Sequence, residues 1–489
     1  MKKAFVFLFV FMQLALLSVE AQTHQISDEL KKLIKQRLEN NSYQGISIGI
    51  ISPEGRTYHN FGVKSLETME PIDEHSVFEI GSISKTFTGV LLANEVLKGS
   101  VKLNDPIQNL LPDTVTAPMW GNESIQFVHL ANHSSALPRL DPIFKISNYT
   151  SPYSSYTETD LYYSLNQYQL TRPIGKTFEY SNYATGLLGH LLASSHQLTY
   201  EEFLHQSIIK PLGLENTGIS LSKSMKKHLT QGYAYGVEAL HWDFLSASAG
   251  AGAIRSNTED MLDYLAYNLG LKESNLFPAM QLSHEATTDY DLNYQIGLGW
   301  MVIDIEDREL IAHGGATGAY RSFIVFEKKT KKGVVVLMNS ADYFDGEWLA
   351  YNALDSVAFP LENIPKPPIA NVLTKYIEAN DFQAATKKYW ELKKSHADEY
   401  IFDEDVLNAL GYRYIGKGEL LKAKLVLKIN LEAFPNSSNA NDSYGEVLMM
   451  NHEDELAIKY YKKSIELNPD NTAGKKNLKK LEARVKSRR

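Results

Sequence analysis

Ser82-Ile83-Ser84-Lys85 lies between Val77-Phe78-Glu79-Ile80-Gly81 and the apolar run Thr86 to Leu97, and the reading of this chain turns on it. A serine hydroxyl is a poor nucleophile near neutrality and needs a base within hydrogen-bond reach. Residues i and i+3 of a helix share a face, so this spacing brings an amine to the hydroxyl. The apolar run predicts a helix that enters the core and ends at Gly99. Burial disfavours an ammonium, so a lysine carried into that core becomes a base near pH 7.

The tetrad has competitors. Ser220-x-x-Lys223 and Ser224-x-x-Lys227 show the same spacing, but in a polar, lysine-rich run with no apolar helix behind it. Their lysines should be solvated and protonated, which leaves Ser82 as the candidate nucleophile.

Length and composition set the frame. A chain of 489 residues suggests two or three domains, and a 44% apolar fraction suits a globular core. A formal charge of -9 argues against general nucleic-acid binding. Residues 1–21 read as a secretory signal peptide: Lys2 and Lys3, an apolar run from Ala4 to Leu17, and small residues before a cut after Ala21. The expected product is exported, periplasmic or secreted, with no stable membrane span after cleavage. With no cysteine in the sequence, disulfides, thiol catalysis and Cys-type zinc sites are excluded.

A helix is predicted over Ile26 to Leu38. A hairpin follows, Ile46 to Ile51 and Thr57 to Phe61, around Ser52-Pro53-Glu54-Gly55. The middle of the chain reads as loop-rich with only short helices. Strand signals return at Gly299 to Ile305 and Glu309 to His313, then at Ser322 to Phe326 and Val334 to Met338. Strands at both ends with helices between them predict an α+β architecture, an antiparallel sheet covered by helices. The domain division expected is 22–361 for this region, a proline-rich linker at 362–368, and an all-α repeat domain at 369–489. In that last part Gly411, Ala423 and Pro435 recur as Gly445, Ala457 and Pro469, each 34 residues on, the period of tetratricopeptide repeats. Ile369 to Glu399 reads as a third, degenerate helix pair with Ala384 and Ala385 near the crossing.

Two further clusters accompany Ser82. Tyr180-Ser181-Asn182 supplies a Y-x-N, and His313-Gly314-Gly315-Ala316-Thr317-Gly318 a glycine-rich strand end. With the S-x-x-K in this order, the chain resembles the serine penicillin-recognising superfamily, in its class C β-lactamase, DD-peptidase and esterase branch. The likeness runs from about Ser42 to Leu349. Leu130 to Pro138 and Ser248-Ala249-Gly250-Ala251-Gly252 resemble the loop signatures of that family. The resemblance implies a β-lactamase/DD-peptidase-like fold and an acyl-enzyme on Ser82, with Lys85 and Tyr180 sharing the proton traffic; either could take the serine proton. It implies that Asn182 orients Lys85 and the acyl group. The oxyanion hole falls to the backbone N–H groups of Ser82 and Ala316, and Gly315 lets the strand approach substrate.

One departure bears on substrate. Where relatives carry Lys-Thr-Gly or His-Thr-Gly to hold a substrate carboxylate, this chain has His313-Gly314-Gly315. The hydroxyl is gone and the cation is a histidine, partly charged near neutrality. Losing a charge-assisted hydrogen bond costs about 1.5–3 kcal/mol. The expected function is therefore an exported serine hydrolase acting on a small ester, amide or peptide. Esterase or peptidoglycan-peptide and D-amino-acid amidase chemistry ranks above efficient β-lactamase action. The alternative is a non-catalytic penicillin-binding-like scaffold whose repeats bind a protein partner. His129 and His133 have zinc-ligand spacing, but no third ligand is near; no metal and no cofactor is expected. Glu179, Asp260 and Arg139 read as structural polar residues.

Overall fold

The segment Gly45–Ser52 (β1) is isoleucine-rich and buried along its whole length. Such a β-branched run suits a strand covered on both faces. Its turn to Gly55–Gly62 (β2) places Gly55 at φ +138°, a backbone region closed to most residues. The remaining strands of the sheet are Thr288–Asp291 (β3), Tyr294–Ile296 (β4), Met301–Ile305 (β5), Arg308–Ala316 (β6), Arg321–Glu327 (β7) and Lys332–Met338 (β8). They form one eight-stranded sheet in the order β2-β1-β8-β7-β6-β5-β4-β3. Every pairing in it is antiparallel, with Ile46 opposite Met338 and His313 opposite Ile324. The computed structural model describes residues 25–144, 151–305, 307–342, 345–362 and 364–487. The signal-peptide reading of residues 1–21 lies outside the described residues.

Alternation on β1 divides the core. Ile46, Ile48 and Ile50 face Leu30 and Ile34 of the helix Asp28–Glu39 (α1) and Leu349 and Ala353 of Gly346–Leu354, a layer on one side of the sheet. The opposite face carries the larger core, with Phe87, Leu91, Leu187 and Leu262. Those residues come from Ser84–Leu97 (α2), Asn182–Ser195 (α3) and Thr258–Asn268 (α4). Gly49 shows how close that packing is, since a Cβ there would meet Thr258 Cγ2 at 2.6 Å and Leu262 Cδ1 at 2.9 Å.

Two helices correct the expectation of a loop-rich middle with short helices only. α3 has 14 residues and α4 has 11. The sequence hid α3 because it is buried on nearly every side, which leaves no polar face to reveal a 3.6-residue period. Its Gly186 and Gly189 are where Ala247 O and Gly250 Cα cross the helix, at 3.0 and 3.1 Å from an added Cβ. The strand predicted from Gly299 starts at Met301 instead. Gly299, at φ +74°, turns against the Lys85 carbonyl, where a Cβ would clash at 2.3 Å.

The chain divides into two compact units. Among the described residues, one comprises 25–39 with Tyr43–Ala234 and Glu238–Ile364; the other comprises Asn40–Ser42, Tyr235–Val237 and 365–487. The second unit is helical: Ile369–Glu378, Phe382–Ser395, Glu404–Gly416, Leu420–Ala433, Ser438–Met450, Asp454–Leu467 and Thr472–Ser487. The 34-residue offset reappears in its packing. Gly411 lies against Leu427 and Gly445 against Tyr461, and Ala423 and Ala457 are both fully buried. Pro435 and Pro469 each follow a helix end.

Candidate active site

A short strand, Phe78–Glu79, pairs with Arg255–Ser256 and leads into the turn Gly81–Ile83, from which α2 continues. Gly81, at φ +49°, lets this entry lie on the last strand residue of β6: a Cβ would meet Ala316 N at 2.7 Å. Gly315 is needed for the same contact from the other side, its notional Cβ falling 2.1 Å from Ile80 O and 2.2 Å from Ser322 Oγ. The space left by the missing Cβ of Gly315 is filled by the segment carrying Ser82, while its backbone lines the cleft. Together these glycines set the backbones of Ser82 and Ala316 side by side.

Lys85 is completely buried. Its Nζ lies 3.1 Å from Ser82 Oγ, 2.8 Å from Asn182 Oδ1 and 2.6 Å from the Ala251 carbonyl. The two carbonyl-type oxygens can only accept, so two N–H bonds are spent on them. The third tetrahedral position, a proton or a lone pair, faces the serine. Burial, and second the charge of Arg139, push the amine well below the ordinary lysine range. The Ala251 carbonyl was missed by sequence reasoning, because a main-chain acceptor leaves no side-chain signal.

Tyr180 is placed by the loop Leu130–Pro138. His133, in a left-handed conformation at φ +63°, accepts the Ser181 N–H on Nδ1 at 3.2 Å, and its carbonyl takes the Glu179 N–H at 2.8 Å. The His133 ring lies 4.5 Å from the Tyr180 ring, and Lys85 Nζ lies 4.8 Å from the centroid of that ring. Burial raises the phenol, opposed by its hydrogen bond with Ser82 and by the charge of Arg139. Ser181 caps α3, its hydroxyl accepting the Ala184 N–H at 2.9 Å, so Asn182 stands at the helix start facing Lys85. Asn182 Nδ2 donates to Tyr153 Oη at 2.9 Å.

His313 departs from its expected role. Burial first, then the nearby Lys85, lower it to about 3, and its Nδ1 bonds the Gly314 carbonyl at 2.6 Å. A carbonyl can only accept, so Nδ1–H is the donor there, and it is the lowered pKa that leaves the ring neutral near pH 7, without a cation to offer a carboxylate. His129 and His133 do not pair as metal ligands. His129 Nδ1 accepts the Gln126 N–H at 3.1 Å, and His133 lies beyond the helix Phe127–Ala131 that carries His129.

Ser82, Tyr180, Asn182, His313, Gly315 and Ala316 line one cleft of about 560 Å³, together with Arg139, Tyr153 and Trp242. Arg139, read from the sequence as a structural polar residue, reaches the cleft instead, with Cζ 5.2 Å from the Tyr180 ring centroid. Glu179 and Asp260 do serve structure: Glu179 pairs with Arg172, and Asp260 accepts from Asn216 N and Thr217 Oγ1 at 2.8 Å each.

Comparison with known proteins agrees with this geometry. The family profile described as "Beta-lactamase" matches residues 30–358. A β-lactamase of Escherichia coli is 27% identical over 69% of this chain and 96% of its own length. One from Yersinia enterocolitica is 25% identical over 69% of this chain and 95% of its own. Among solved structures, a β-lactamase/D-alanine carboxypeptidase from Pseudomonas syringae shares the fold. Its TM-score is 0.60 at 22% identity, covering 66% of this chain and 97% of that one. A class C β-lactamase does likewise, with TM-score 0.60 at 21% identity over 68% and 96%. By the span of that profile match, over half of its length, this chain belongs to the β-lactamase family.

Proposed function

We propose that this protein is an exported serine hydrolase that forms an acyl-enzyme on Ser82 from an ester or amide substrate. The observation that carries the reading is the fully buried Lys85 amine, 3.1 Å from the Ser82 hydroxyl and fixed by two acceptor-only partners. In this reading neutral Lys85 takes the serine proton as Oγ attacks the carbonyl. Tyr180, kept a phenol by burial, passes a proton to the leaving group. The backbone N–H groups of Ser82 and Ala316 receive the developing oxyanion, and Asn182 holds Lys85 in register.

Esterase or peptide and D-amino-acid amidase chemistry ranks above efficient β-lactam hydrolysis, because neutral His313 and Gly314 offer no cation and no hydroxyl for a carboxylate. A D-alanine carboxypeptidase activity, named for the Pseudomonas syringae protein, falls within this class. We read the helices from Ile369 onward as tetratricopeptide-like repeats that bind a protein partner, on the 34-residue recurrence of the Gly411 and Gly445 contacts.

Covalent labelling by a fluorophosphonate, followed by peptide mass spectrometry, should find the adduct on Ser82. A panel of p-nitrophenyl esters, D-Ala-D-Ala peptides and nitrocefin then ranks the substrates. A folded protein that neither labels nor turns over any of these is the scaffold alternative.

A further inference from the structure

Among the described residues, none lining the cleft is an aspartate or glutamate, whereas Arg139 and Arg321 both reach it. Arg321 is engaged, its Nη1 donating to the Thr317 and Tyr320 carbonyls at 2.9 and 3.0 Å. Arg139 differs. Its side chain is exposed at the cleft mouth, and among the described residues no carboxylate pairs with it. Its main chain is nevertheless fixed, because its carbonyl accepts the Asn182 N–H at 2.9 Å. Its guanidinium lies over the Tyr180 ring and acts electrostatically on Lys85, His133 and Tyr153.

The opposite wall, β6, has only main chain, glycines and the neutral His313 to offer. An anion in the cleft therefore has Arg139, the exposed one of its two arginines, as a partner beside the aromatic shelf where Tyr153 stacks on Phe244 with centroids 4.4 Å apart. A guanidinium fork binds a carboxylate through two parallel N–H bonds, and over an aromatic face it is partly ordered in advance.

We propose that Arg139 is the anion-recognition residue of this cleft: it binds a carboxylate of the substrate, so that the preferred esters or amides are anionic ones. Their carboxylate lies on the Tyr153 side of the scissile carbonyl, not on the β6 side. This rests on the serine-hydrolase reading, and the test separates the two.

The probes are mono-p-nitrophenyl glutarate and its methyl ester, which differ in charge at one end. The wild-type ratio of kcat/KM, acid over methyl ester, should exceed unity and fall as salt is raised. Arg139→Gln should lower that ratio at least about tenfold, the usual scale for a charge-assisted contact. Arg139→Lys should keep part of it, and Arg139→Glu should invert the preference. The same two probes are titrated by calorimetry into Ser82→Ala, with and without Arg139→Gln, where no chemistry intervenes. If no variant, wild type included, turns over either ester but acid binding still depends on Arg139, the hydrolase reading falls and this one stands. An acid-to-ester ratio that Arg139→Gln and Arg139→Glu leave unmoved, in turnover and in binding, overturns the assignment. Circular dichroism of each variant excludes misfolding as the cause.

Discussion

Ser82 with Lys85 and the pairs Ser220 with Lys223 and Ser224 with Lys227 share one spacing, and the fold treats them in opposite ways. Lys85 is sealed in the core between Asn182 and the Ala251 carbonyl. Lys223 and Lys227 stand exposed on the helix Lys223–His228, with no core around them. The serines differ as well. Ser220 Oγ donates to the Glu201 carboxylate at 2.8 Å, and Ser224 Oγ to Asn216 Oδ1 at 2.9 Å, so each hydroxyl is turned to a partner other than its i+3 lysine. Spacing brings groups together only where the backbone is helical, and it makes a base only where water is excluded.

The widest test of that contrast is deletion of each serine. Ser82→Ala should abolish ester turnover and fluorophosphonate labelling. Ser220→Ala and Ser224→Ala should leave both at the wild-type level. Labelling that survives Ser82→Ala and disappears with Ser220→Ala would reverse the assignment.

Next in size are the proton-handling groups. Lys85→Ala and Tyr180→Phe should each slow acylation by at least about 100-fold with the fold retained, the usual scale for a general acid or base. The pH profile gives the sign. A buried base with a lowered pKa is competent above that pKa, so kcat/KM should rise as pH climbs through it and then stay level. A wild-type rate in Tyr180→Phe would make Tyr180 a packing residue.

Gly315→Ala probes the junction that sets Ser82 beside Ala316. With Ile80 O 2.1 Å from the added carbon, the strand or the Ser82 turn must move. We expect a stability loss of about 1–3 kcal/mol, as for other overpacked sites, and a fall in kcat that exceeds any rise in KM. Urea denaturation and ester kinetics measure the two effects. An unchanged kcat would show that the alignment of the two N–H groups tolerates displacement.

How much of this was legible in the sequence depends on where each signal resides. β1 and β2 announced themselves through alternation and the Ser52–Gly55 turn, and the region from Arg308 to Met338 through β-branched runs bounded by turn residues. β3, with the sequence Thr-Asp-Tyr-Asp and its last three residues exposed, carries no apolar alternation and was invisible. α3 was hidden for the opposite reason, its burial on all sides. In the site, the S-x-x-K and Y-x-N spacings are local and could be read. What decides the charge of His313 is not local, since the desolvation and the Lys85 amine come from other elements. The place of Arg139 in the cleft could not be read for the same reason, as it depends on which side chain lies beneath its guanidinium.

The finest form of the comparison concerns the proton on Lys85 itself. The folded state lowers this amine well below 10.5, whereas an unfolded chain holds the ordinary value. Between those two limits the unfolded chain binds a proton that the folded chain does not, so stability must rise with pH across that window. Lys85→Met removes the group. The stability of the wild type relative to this variant should therefore increase from pH 7 toward pH 10, by up to about 1.4 kcal/mol per pH unit. Urea denaturation of the two proteins at pH 7, 8 and 9 measures it. Parallel curves for wild type and Lys85→Met would mean that Lys85 stays an ammonium in the folded protein, donating its third N–H to Ser82. The serine proton would then have to go to Tyr180 as a phenolate held beside that charge.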